Sequence, residues 1–218
     1  MPKTRTVTRD RKVIVVDLGG QLLIPDQQDA NRSVELTFRV GVTNRTGLHW
    51  HETQTEYVQV LQGHATITVG DHTAVFGPED GIVTIPKFTL HQYGRADDTP
   101  EGAASKGVDM IVKEWTDPAD GEKELFFRNI LGIIEDRQPG ILGTLFMVLS
   151  VFTVFWHHDN YPVIWQGPRF LGRGVQKWAM RSLTYTVMRL VGIAGLLVGC
   201  RGDYDEYTPA YLDAARAR

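Results

Sequence analysis

The chain has 218 residues, a formal net charge of −3 and 22% charged residues, with both signs interspersed. That length suits one sizeable domain with an appendage, and a balanced charge with no basic block offers nucleic acid no footprint. Cys200 is the only cysteine, so the chain can form no intrachain disulfide and no multi-cysteine metal site, and a reducing, intracellular setting is expected. Met1 to Arg11 lacks the apolar core of a secretory signal, so its basic residues, Lys3 among them, read as a solvated arm and the protein is expected not to be secreted. The N-x-Ser/Thr matches at Asn31 and Asn44 then carry little weight as glycosylation sites.

From about Lys12 to Trp115 the pattern is short runs of Val, Ile, Thr and aromatics punctuated by Gly, Pro, Asp and Asn, the signature of an all-β sandwich or barrel. Strands are expected at Val13 to Val16, Val34 to Val40, Glu56 to Leu61, Ala65 to Val69, Thr73 to Phe76, Gly81 to Ile85, Leu90 to Gly94 and Val108 to Trp115. Turns are expected at Leu18-Gly19-Gly20, Gly70-Asp71 and residues 77–81. Val34, Leu36, Phe38 and Val40 alternate with Glu35, Thr37 and Arg39, which predicts the first set inside. Residues 96–106 read as an exposed loop.

After Trp115 the composition changes. Asp117 to Lys123 reads as a linker into a helix over Glu122 to Asp136, with Leu125, Phe126, Ile130, Leu131 and Ile134 at helical spacing. Gly140 to Trp156 then runs without a charge. As a helix it would be roughly 26 Å long, near the lower limit for crossing a bilayer core. A second apolar stretch, Leu183 to Cys200, contains Arg189, and the cations Arg169, Arg173, Lys177 and Arg181 lie between the two. A single span or in-plane anchor over 140–156, on the cytosolic face of a membrane, therefore competes with plain packing on the barrel. The organisation is a barrel over 12–116, a linker and amphipathic helix over 117–139, and an apolar helical extension over 140–218.

The chemistry concentrates in Gly47-Leu48-His49-Trp50-His51, followed by Glu56 and Gly63, with His91 further on. Side chains two apart share a face only on a strand, so His49 and His51 can converge. Three imidazoles and a carboxylate suit a divalent transition metal, Fe(II), Mn, Zn or Ni, better than calcium or magnesium. Buried without a cation, such a set would be costly to desolvate. Trp50, between the ligands, should point the other way and pack. Tyr57, Gln59, Gln92 and Tyr93 are polar candidates near the ligands. Parity selects Val58, Val60 and Tyr93 as inward, and Tyr93 is the candidate catalytic residue, as a proton donor. Phe38 joins that apolar wall. His64 and His72 fall in turns and read as exposed. His157-His158 are adjacent, do not share a face, and read as a helix cap rather than a second metal site.

These residues resemble the cupin superfamily, whose first motif is Gly-x5-His-x-His-x3,4-Glu-x6-Gly and second Gly-x5-Pro-x-Gly-x2-His-x3-Asn. The first is met at His49, His51, Glu56 and Gly63, with Thr43 in the leading glycine slot. The second is met at Pro86 and His91, while Asp80 and Phe88 fill its glycine slots and Arg95 its asparagine slot. Gly41 and Gly81 stand close enough to suggest shifted turns. The resemblance covers residues 34 to 115 and implies a mainly β fold, a double-stranded β-helix or jelly-roll barrel with a C-terminal apolar helical extension, holding one metal on His49, His51, Glu56 and His91. It also implies a possible homodimer.

Three functions follow. The first is a metal-dependent oxidoreductase acting on a small, largely apolar phenolic or enolisable metabolite, with an isomerase or dehydratase as the close alternative. The build is similar to small fungal cupin-domain oxidoreductases of polyketide biosynthesis, a secondary-metabolite setting. The second is a non-catalytic docking module with a structural metal. The third, a sugar- or nucleotide-sensing cupin, would need Arg39 or Arg95 turned inward.

Overall fold

The computed structural model describes residues 5–16, 20–24, 29–167, 170 and 172–212. Eleven strands and three α-helices lie among them. One antiparallel sheet has six strands: β1 (Val13–Val16), β2 (Gly20–Leu23), β3 (Val34–Phe38), β10 (Met110–Asp117), β5 (Thr55–Gln62) and β8 (Ile82–Ile85), in that spatial order. The other has five: β11 (Tyr161–Pro162), β4 (His49–Trp50), β9 (His91–Arg95), β6 (Ala65–Val69) and β7 (His72–Phe76). A single apolar core joins them, with Ile14, Leu22, Leu36, Val58, Val60, Met110 and Val112 from the first and Ala65, Ile67 and Tyr93 from the second. This is the mainly β barrel with a helical extension that the sequence pattern implies.

Alternation fixes which side chains face the core. On β5, Glu56, Val58 and Val60 are buried while Tyr57 and Gln59 are not, and on β10 Met110, Val112, Glu114 and Thr116 share the buried face. The expectation for β3 fails at one end. Phe38 is its last residue, the chain turns with the Val42 N–H donating to Arg39 O, and Val40 is half exposed. The strand that the His-x-His spacing implies is β4, which covers only His49–Trp50. Two strands have no counterpart among the expected ones: Gly20 opens β2 rather than closing a turn, Leu18 and Gly19 lying outside the described residues, and β11 has two residues, too short for periodicity to reveal.

The motif glycines have a backbone reason. Gly63 has a φ of 73°, and a Cβ there would stand 3.2 Å from Asp109 O and Met110 Cα. Phe88 sits in a glycine slot of the second motif and still adopts a φ of 63°, a conformation that disfavours a side chain. It is held there by its N–H donating to His51 O at 2.6 Å and by Arg181, which donates to Phe88 O at 2.8 Å. Gly41 and Gly81 also have positive φ, consistent with shifted turns.

Helix α1 (Glu122–Glu135) follows β10, then α2 (Gly140–His157) and α3 (Arg173–Leu197). Phe126, Ile133, Val154, Tyr204 and Tyr207 form a second core between α1, α2 and the C-terminal segment. The ring of Trp50 is fully buried against this extension, stacked on Tyr161 at 5.4 Å and edge-on to Tyr185. Arg173, Lys177 and Arg181 lie on α3 itself rather than in a connecting loop, and Arg169 is outside the described residues. Among the described residues only α2 is long and apolar enough to cross a membrane, with a mean hydropathy of 1.8, and Ile141 and Leu142 at its start are 87% and 81% exposed.

Gly63→Ala tests the turn that carries the first motif's last residue. Backbone strain at positive φ plus the close approach to Asp109 and Met110 should cost about 1–2 kcal/mol, read as a lower urea midpoint with an unchanged slope.

Candidate metal centre

His49 and His91 face each other as a register pair between β4 and β9 of one sheet, and Glu56 comes from β5 of the other. His51 lies one residue past β4. The structure brings all four together: their ligand-type atoms lie within 4.8 Å of one another, and the three imidazole rings are 4.1–5.2 Å apart between centroids. Glu56 and His91 are each 1% exposed.

Hydrogen bonds set the direction of each ring. The Nδ1 atoms of His49, His51 and His91 lie 2.8, 2.7 and 2.9 Å from the backbone carbonyls of Gly47, Asp159 and Thr89. A carbonyl only accepts, so each Nδ1 donates to it. At His51, where the Gln54 side-chain amide also lies 3.1 Å from Nδ1, the shorter 2.7 Å contact decides. In the neutral ring Nε2 keeps a lone pair. A carbonyl behind each ring is the support that metal-ligating histidines characteristically have. His51 Nε2 stands 2.9 Å from Glu56 Oε2 and His91 Nε2 3.5 Å from the same oxygen. Neutral imidazole and carboxylate are both acceptors there, so a proton or a cation must lie between them. His91 Nε2 and Glu56 Oε1 are buried without a hydrogen-bond partner. The donor set, its geometry and these orphaned atoms fit a divalent transition metal.

The third ring depends on the helical extension. Asp159, at a φ of 54° just beyond α2, turns its carbonyl to His51 while its carboxylate accepts from the N–H groups of Glu52 and Thr53 at 2.8–3.1 Å.

A second set of buried charges adjoins the four. Glu114 is the diagonal neighbour of Glu56 on the same sheet face, since Glu114 pairs with Val58 and Thr116 with Glu56. Lys123, in the first turn of α1, puts its ammonium 2.6 Å from Glu56 Oε2 and 2.7 Å from Glu114 Oε1. The Tyr93 hydroxyl donates to the other Glu114 oxygen at 2.5 Å. Burial alone would raise the pKa of Glu56, but the Lys123 ammonium and His91 outweigh it and hold the carboxyl well below its usual value. Glu114 is raised by burial and by the Glu56 charge, and the Tyr93 hydroxyl is raised well above its usual value by burial and by Glu114. Burial, then the neighbouring rings, lower His49 well below its usual value, and burial and Lys123 lower His51. His91 is the exception: the Glu56 charge overcomes burial and raises it.

The remaining sequence candidates sort by strand parity. Tyr93 is inside and fully buried, hydrogen-bonded to Glu114 rather than to any of the four. Val58 and Val60 are packed in the core with Phe38 against it, while Tyr57 stacks on Trp115 and Gln59 and Gln92 lie on the outward face. Arg39 is exposed. Arg95 is buried, because β9 runs one residue past Gly94, but its guanidinium is bonded to Asp97 and to the carbonyls of Phe38, Lys106 and Val108. It is committed to the fold. His64 is half-buried on Ser105 and His72 is exposed.

His158 is the helix cap that the sequence predicts, but the two rings, expected on different faces, converge. His158 leaves the helix as its C-cap, so both rings reach Asp203, at 3.0 and 2.9 Å, and His158 Nδ1 meets Glu122 at 2.8 Å. With Asp203 they form the second ligand-type cluster among the described residues, read as an ion-paired clamp because both ring nitrogens of buried His158 face carboxylates. Lys123 and Glu114 had a sequence signal that went unused: Glu114 breaks an apolar alternation on β10, and Lys123 lies three and four residues before Phe126 and Phe127, on the apolar stripe of α1.

The two facing sheets gather between them the His-x-His, Glu and later His that resemble the cupin motifs, so the fold is the one that resemblance implies. No family model matches the chain. It is 24% identical over 163 residues to "Probable oxidoreductase virH" of Hypocrea virens, covering 73% of this chain and 66% of that protein. To "Probable oxidoreductase yanE" of Aspergillus niger it is 30% identical over 172 residues, covering 77% and 60%. The chain thus spans about two thirds or less of the length of these curated relatives. Among solved structures, an RmlC-like cupin from Shewanella frigidimarina aligns at 14% identity and a TM-score of 0.35, over 48% of this chain and 81% of that one.

His158 is raised in pKa although burial opposes it, because Asp203 and Glu122 bind its protonated form. A group raised on folding stabilises fully below its unfolded value of about 6.5 and loses that contribution as pH climbs through the folded value. The stability difference between wild type and His158→Gln should therefore shrink as pH rises from about 6 to 9, measured by urea denaturation.

Proposed function

We propose that His49, His51, Glu56 and His91 hold one divalent transition metal, Fe(II), Mn, Zn or Ni, and that the chain is an oxidoreductase acting through it on a small organic molecule. The observation that carries this reading is the set of three imidazoles, each with Nδ1 tied to a backbone carbonyl, gathered around one buried carboxylate that Nε2 of His51 and His91 faces. The oxidoreductase names of the fungal relatives support the class of reaction. The substrate we favour is a largely apolar phenolic or enolisable metabolite, of the kind a polyketide intermediate represents, because the strand that carries Glu56 continues inward with Val58 and Val60.

A divalent metal held by His49, His51, Glu56 and His91 would supply Lewis-acid chemistry and, if iron, redox chemistry. The protein's part is to exclude water and to hold charge. The backbone carbonyls of Gly47, Thr89 and Asp159 keep the three rings in one tautomer, and Lys123 orients Glu56. Tyr93, behind Glu114, stays protonated well above neutral pH and is the proton donor we assign to the site.

His49→Ala and His51→Ala are expected to lose the metal and the activity together while the far-UV circular dichroism stays that of the wild type. Elemental analysis of the purified chains checks this: near one metal per wild-type chain supports the reading, and an unchanged metal content in both variants contradicts it. Oxygen uptake with a phenolic substrate present supports an oxidoreductase that uses dioxygen, whereas turnover without oxygen or any other electron acceptor points to an isomerase or dehydratase.

A further inference from the structure

The oxygen of Glu56 that Lys123 holds is the same oxygen that faces His51 Nε2 and His91 Nε2. An ion bound by those nitrogens and an ammonium on that oxygen are therefore neighbours with one shared partner. Lys123 also spans to Glu114, so a single buried cation stands between two buried carboxylates on one sheet face, all three side chains being 4% exposed or less. Two carboxylates this close and this dry cannot both stay charged without a cation. In the folded barrel two cations can serve Glu56: the lysine, which belongs to the chain, and the metal, which does not.

We infer that Lys123 is the site's built-in counter-ion, a positioning residue that neutralises Glu56 before metal arrives and then competes with the metal for that carboxylate. The barrel can in this way fold first and load afterwards, at some loss of metal affinity. The inference rests on the metal reading above, since a competitor needs something to compete with. A purely structural ion pair would behave differently, because its removal would weaken the protein equally with and without metal. It also gives α1 a role in the site: its first turn delivers the charge, so metal affinity is set from outside the barrel sheets.

Removing the lysine alone would strand two carboxylates, so the test pairs it with Glu114→Gln, which keeps an acceptor for Tyr93 and leaves only Glu56 uncompensated. Melting temperatures of wild type, Glu114→Gln, Lys123→Arg and Lys123→Met/Glu114→Gln are measured without metal and with a fixed excess of Zn(II). The Zn(II)-induced rise should be larger in the double variant than in Glu114→Gln by roughly 3–6 °C, the shift that a tenfold change in affinity produces in a chain of this size. Lys123→Arg, which keeps the charge, should respond as wild type does. A double variant recovered folded only with Zn(II) would also support the inference. Equal Zn(II) shifts in the double variant and Glu114→Gln, or a double variant unfolded under both conditions, overturn the counter-ion role while leaving the metal reading intact. No shift in wild type or any variant overturns the metal reading, and this inference with it.

Discussion

Three backbone carbonyls decide what this barrel can do. Gly47, Thr89 and Asp159 each accept the Nδ1 proton of one histidine, which leaves Nε2 of His51 and His91 facing Glu56 with His49 in the same cluster. Two of these supports are local, each carbonyl standing two residues before its histidine at a strand entrance. The third comes from a residue 108 positions away in sequence. The ring of His51 is thus held by the residue after α2 as well as by Gln54 and Glu56 within the barrel, and the helical extension contributes to the site rather than decorating it.

The same extension supplies the electrostatics. Lys123 enters from the first turn of α1 to bridge Glu56 and Glu114, and its neighbour Glu122 binds His158 at the end of α2. Adjacent residues of one helix therefore hold the barrel site on one side and the helical layer on the other. Buried ion pairs contribute little net stability, since desolvation offsets most of their attraction, but losing one partner is costly. Such an arrangement fixes geometry more than it adds stability, which is what a site that must present four ligands at one point requires.

Much of the site was legible in the sequence and some was not, for physical reasons. His49, His51, Glu56 and His91 could be read because motif spacing and strand parity are local properties. Strand parity also placed Val58, Val60 and Tyr93 inside and Trp50 away from the ligands. Glu114, Lys123 and Asp159 act through pairings between distant segments, and a single sequence records no such pairing directly. The β2 strand was hidden behind a Gly-Gly pair that resembles a turn, and β11 is shorter than any periodicity. Phe88 shows the opposite case: a glycine slot filled by an aromatic suggests a lost turn, yet the turn is kept, because His51 and Arg181 bind the backbone on both sides of it.

The central claim is that these four side chains meet on one cation, and anomalous diffraction from a crystal of the full chain grown with Co(II) tests it most directly. The expected result is a single strong peak within coordination distance, roughly 2.0–2.3 Å, of the three Nε2 atoms and one oxygen of Glu56. Density at His157, His158 and Asp203 alone, or none between the histidines, would contradict it.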